Sequence, residues 1–168
     1  VANMSLGGGG VAEALDQAVR NTISSGVTFV LSAGNSNSEA CKDSPTRTRE
    51  AIVVGAASQT DERAWFSNWG QCVDIFAPGV KIISADIESD TATKQLDGTS
   101  QAAPHVAGAA ALYLSTNPLA SPEQVAAALL TKSLTANIVG QDNQTPNKLL
   151  YAGFIGAAAC GRQLFLRK

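Results

Sequence analysis

The chain has 168 residues, room for one domain with a sizeable core and too few for two of ordinary size. Hydrophobic residues make up 45% and charged residues only 15%, with a net charge of −2. That balance excludes a disordered chain, a nucleic-acid binder that must displace phosphate counterions, and a polybasic membrane anchor.

Residues 1–5 read as a short buried strand that runs into the glycines at 7–10. The start has no initiator Met and neither the basic nor the long apolar segment of a secretory signal, so it reads as a processed or excised start. Residues 11–25 carry apolar side chains at helical spacing, Val11, Leu15, Ala18, Val19 and Ile23, with Gly26 as the stop. Residues 27–32 form a continuous apolar run. Strand, helix and strand in this order make a βαβ unit, and unbroken apolarity points to a parallel sheet covered on both faces. Residues 51–57, 73–76 and 80–85 are expected as further buried strands. A helix rich in small residues follows over about 100–115. Ser121, Pro122 and Gln124 form a capping box that opens a second helix to about Leu130. A last strand is expected over 148–152.

Cys41, Cys72 and Cys160 include no Cys-x-x-Cys pair, and His105 is the only histidine, so structural zinc is not expected. A Cys41–Cys72 bridge and two reduced thiols fit the residues equally well. The glycine run at 7–10 lacks the lysine and hydroxyl of a phosphate cradle.

The segment Asp97-Gly98-Thr99-Ser100-Gln101-Ala102-Ala103-Pro104-His105-Val106-Ala107-Gly108 carries the chemistry. Ser100 opens a helix, where free N–H groups and the helix dipole can stabilise an oxyanion. The segment closely resembles the nucleophile signature of the subtilisin-like serine proteases. Two further stretches match in the family's order: Asn3-Met4-Ser5-Leu6-Gly7-Gly8 resembles its substrate-binding strand, and Ser32-Ala33-Gly34-Asn35 its oxyanion loop. The likeness runs from Val1 to about Tyr151, most like the proteinase K and aqualysin branch. It leaves 152–168 as an unmatched tail.

The resemblance implies an α/β, three-layer fold with a mostly parallel sheet, present as its C-terminal portion. It implies Ser100 as nucleophile and the Asn35 amide with the Ser100 N–H as oxyanion donors. Ser5, Leu6 and Gly7 would pair with an extended polypeptide substrate, Leu6 having core packing as its alternative. Gly7, Gly8, Ala33 and Gly34 would line an open, apolar side-chain pocket. A structural Ca²⁺ is implied at Asp74 and the carbonyls of Arg49 and Ala51, with no cofactor needed for the chemistry. A Cys41–Cys72 disulfide, a free Cys160 and secretion are implied as well.

The family's catalytic Asp and His precede the segment matching 1–5, so they are expected to be missing from this chain. His105 lies five residues after Ser100 on one helix, about 500° round at 100° per residue, and is not a credible base. A non-enzymatic binding protein is the alternative function. An α/β-hydrolase fits worse: Gly98-Thr99-Ser100-Gln101-Ala102 lacks the final glycine of the nucleophile elbow.

Overall fold

The computed structural model describes residues 1–135 and 137–156. A six-stranded sheet carries the fold, built from β1 (Ala2–Met4), β2 (Phe29–Ser32), β3 (Ile52–Ala57), β4 (Ile75–Pro78), β7 (Leu134–Thr135) and β8 (Lys148–Leu149). Its spatial order is β1-β2-β3-β4-β8-β7. All neighbouring pairs are parallel except β7 with β8. Helix α1 (Glu13–Ser24) makes the crossover from β1 to β2, as the βαβ reading requires. The other helices are α2 (Thr99–Thr116) and α3 (Pro122–Lys132).

Successive residues of a strand point to opposite faces, and here both faces are covered. Val30, Ile52, Val54, Ile75 and Ala77 join a core cluster with Ala102, Ala103, Val106, Val125 and Leu129 of α2 and α3. Phe29, Leu31, Val53 and Phe76 join a second cluster with Val19 of α1. This is why the central strands are apolar without alternation. The result is three layers, α1, sheet, and α2 with α3. Alanines at 102, 103, 109 and 110 let α2 lie close to the sheet. The Ser121 capping box forms as expected, with the Ser121 hydroxyl accepting from the Gln124 N–H at 3.2 Å and the Gln124 side chain accepting from the Ser121 N–H at 2.9 Å.

Two expectations are corrected. Residues 80–85 are not a buried strand: β5 (Ile82–Ala85) pairs antiparallel with β6 (Thr93–Leu96) in an exposed hairpin outside the main sheet. The apolar pair Ile82 and Ile83 resembled core, while the polar sequence of β6 carries no alternation that would reveal it. The last strand covers only Lys148–Leu149. Beyond it, Ala152, Phe154 and Ile155 pack against the α2 cluster, with the Phe154 ring 6.3 Å from that of Tyr113. Cys160 and residues 157–168 lie outside the described residues. Cys41 and Cys72 form a disulfide between the short 3₁₀ turn Ala40–Lys42 and the loop before β4. Among the described residues no helix is long and apolar enough to cross a membrane.

Candidate active site

The C-terminal ends of β1 and β2 point at the N-terminus of α2, and the sequence motifs meet there. Pro104 lies inside α2 and has no N–H to offer the Ser100 carbonyl. That freed carbonyl accepts from the Ser5 hydroxyl at 3.0 Å, and the Ser100 hydroxyl donates to the Ser5 carbonyl at 3.3 Å. The proline thus opens the first turn of α2 to a side chain from the segment after β1. Ser100 stays half-buried.

Asn35 has a fixed orientation. Its Oδ1 accepts from the Thr99 N–H at 2.9 Å and the Thr99 hydroxyl at 2.8 Å. A backbone N–H can only donate, so the oxygen must face Thr99 and the NH₂ must face away. A Cβ placed on Gly98 would meet Asn35 Nδ2 at 3.5 Å and the Ser100 nitrogen at 3.6 Å. Both nitrogens therefore flank one point beside Gly98. The Ser100 N–H belongs to the first helical turn, which lacks intrahelical acceptors. Two N–H donors converging beside the first turn of α2 are the kind of arrangement an oxyanion requires.

Gly34 makes the Ser32–Asn35 loop possible. Its φ is +102°, and a Cβ there would stand 2.4 Å from Asn68 Nδ2. The buried Asn68 amide donates to the Ala33 carbonyl at 2.9 Å and accepts from the Ser36 and Ser38 N–H groups at 3.0 Å each. Thr99 ties in the same loop, its hydroxyl accepting from the Gly34 N–H at 3.1 Å.

A cleft of about 280 Å³ runs past these groups. Its walls include every substrate-contact residue expected from the sequence, Ser5, Leu6, Gly7, Gly8, Ala33 and Gly34, together with Asn35 and Ser100. Leu6 is 57% exposed, so it is not a core residue. The expectation of an open, apolar pocket is corrected: the polar residues Asp43, Thr46 and Asn68 line the cleft too. Asn68, Thr99 and Asp43 were missed as site residues. Thr99 lies beside Ser100 in the Asp97–Gly108 segment, which was the one available signal; a single Asn or Asp in a polar stretch offers none.

His105 does not serve Ser100. Its Nδ1 lies 2.8 Å from the Gln101 carbonyl on its own helix. It is the single imidazole of the chain.

Asp74 lies just before β4, apart from the cleft. Burial pushes its carboxyl up to about 6, while the Val53 N–H and the Arg49 and Lys148 charges pull it down. Its Oδ2 accepts from Val53 at 2.8 Å. Ala51 immediately precedes β3, and the Arg49 guanidinium donates to the Gln71 carbonyl. A half-buried carboxylate that its surroundings do not fully compensate fits a hard, oxygen-seeking cation. Glu39, Cys41 and Cys72 converge as well, but the disulfide occupies both sulfurs.

A family model described as "Subtilase family" matches residues 1–154. The chain belongs to the subtilase family. This subtilase chain is 54% identical over 154 residues to the "Extracellular serine proteinase" of Thermus sp. (strain Rt41A), covering 92% of the chain and 37% of that relative. It is 49% identical over 162 residues to the "Alkaline serine exoprotease A" of Vibrio alginolyticus, covering 96% of the chain and 29% of that relative. The structure of a cold-adapted subtilisin-like serine proteinase superposes with a TM-score of 0.86 at 49% identity, over 90% of this chain and 54% of that one. The subtilase chain thus spans about a third of these curated relatives.

Proposed function

We propose that this chain carries the nucleophile, the oxyanion donors and the substrate cleft of a secreted serine endopeptidase. The observation that carries the reading is the junction at α2: Ser100 in the first turn, with the Asn35 NH₂ turned toward the same side by the Thr99 bonds. An extended polypeptide would lie along Ser5, Leu6 and Gly7 and present its carbonyl to Ser100. Attack by the Ser100 oxygen would place negative charge on the carbonyl oxygen, between the Asn35 amide and the Ser100 N–H. Collapse of that adduct would break the scissile C–N bond, the amine leaving with the proton taken from Ser100 by the base, and water would then hydrolyse the acyl-enzyme to acid and free Ser100.

The proton of Ser100 needs an acceptor, and the one imidazole is engaged by Gln101. Base and orienting acid therefore come from residues outside these 168. By itself the chain binds peptide without turnover, the behaviour of the alternative binding protein. Ca²⁺ at Asp74, with the Arg49 and Ala51 carbonyls, would compensate the ionised carboxylate and tie the segment before β3 to the start of β4. Secretion accords with the disulfide and with the Thermus relative being named an extracellular proteinase.

The test is peptide hydrolysis by the chain joined to a segment that supplies a base. Ser100→Ala should abolish it, and Asn35→Leu should cut kcat by about 100-fold with less change in KM. Full activity in Ser100→Ala would end this reading.

A further inference from the structure

The side-chain pocket contains one charged group, and its sign selects a substrate. Among the described residues lining the cleft, only Asp43 carries an ionisable acid or base. Its Oδ1 accepts from the Gly10 N–H at 2.9 Å, which fixes the carboxylate. Oδ2 takes no hydrogen bond and Asp43 no ion pair among the described residues. No cation of the same loop pairs with Asp43, and Arg49 donates to the Gln71 carbonyl instead. Arg47 is drawn to Glu13 at 3.5 Å and to Asp16 at 3.6 Å, and Lys42 is exposed. The loop is also held: the buried Thr46 hydroxyl donates to the Ala40 and Asp43 carbonyls at 2.6 and 2.8 Å.

The geometry points to Asp43 as a specificity residue that recognises a cationic side chain, Lys or Arg, immediately before the scissile bond. This inference rests on the proposed proteolysis and names its substrate class. A fixed, half-buried carboxylate with no ion pair gives a charge-assisted hydrogen bond to an ammonium or guanidinium. An uncharged side chain would leave that carboxylate desolvated and unpaired, which penalises the apolar substrate as well.

The experiment compares kcat/KM for succinyl-Ala-Ala-Pro-X-p-nitroanilides, with X as Lys, Arg, Leu or Phe, on the active full-length protease. Lys and Arg should exceed Leu and Phe by about tenfold or more. Asp43→Asn keeps an acceptor for Gly10 and should collapse that ratio toward one. A native preference for Leu or Phe, or a ratio unchanged in Asp43→Asn, overturns the inference; the native ratio alone decides if the variant does not fold. Should no peptide be cleaved, proteolysis itself has failed, and product peptides ending in Lys or norleucine decide the pocket. Tighter Lys binding, read from Gly34 and Asp43 amide shifts, supports it, and equal binding overturns it.

Discussion

Gly34→Ala should damage the protein more than any other single added methyl in the cleft. Two effects add. At φ +102° a residue with a Cβ carries backbone strain of about 1–3 kcal/mol. The new Cβ would also stand 2.4 Å from Asn68 Nδ2, and that amide is buried. Moving it breaks bonds to the Ala33 carbonyl and to the Ser36 and Ser38 N–H groups. Each buried group left unpaired costs about 1–3 kcal/mol, so the loss of two brings the total to roughly 3–9 kcal/mol. Small domains have only about 5–15 kcal/mol in hand. Urea unfolding measures the loss directly. A double-mutant cycle isolates the clash. Asn68→Ala is itself destabilising, but Gly34→Ala added to it should cost only the strain. A Gly34→Ala loss below about 1 kcal/mol, or strict additivity in the cycle, would refute the reasoning.

Asp74 makes stability fall with rising pH, because its carboxyl is raised from 3.8 to about 6 on folding. Its contribution is complete below pH 3.8 and is lost by pH 6, about 3 kcal/mol across that window. In chelator, Asp74→Asn should flatten this slope and be the more stable protein at pH 7, as read by urea unfolding. Arg47→Ala strands Asp16, which is 0% exposed with no hydrogen bond to either oxygen, and should cost about 3–5 kcal/mol by thermal or urea unfolding. Replacing Cys41 and Cys72 by Ala opens a loop with a sequence separation of 31 and should cost about 3–4 kcal/mol in the same assay. A denaturing thiol titration without reductant should find one free thiol, that of Cys160.

The sheet and its helices were legible because local pattern and tertiary role agree there. The apolar runs of β2 and β3 reflect burial on two faces, and the spacing of Val19 and Ile23 reflects one face of α1. The hairpin of β5 and β6 was misread because Ile83 is 67% exposed and apolarity alone does not report what covers a residue. At the site, Ser100, Asn35 and Ser5 were found through contiguous motifs. Asp43 and Thr99 act through contacts made by other segments, Gly10 for one and Gly34 with Asn35 for the other. Such partners are separated by dozens of positions, and no local spacing encodes them. The role of Pro104 lies between these cases. Its missing N–H is readable, but that Ser5 takes the freed carbonyl is a fact of packing.

The central claim is that Ser100 stands in a prepared oxyanion site and lacks its base. Fluorophosphonate labelling tests it most directly, since the probe reacts with activated serines. The 168-residue chain should remain unlabelled, and the chain joined to a segment supplying Asp and His should label at Ser100. Labelling of the chain alone, abolished in Ser100→Ala, would contradict the account, because a base would then exist among these residues.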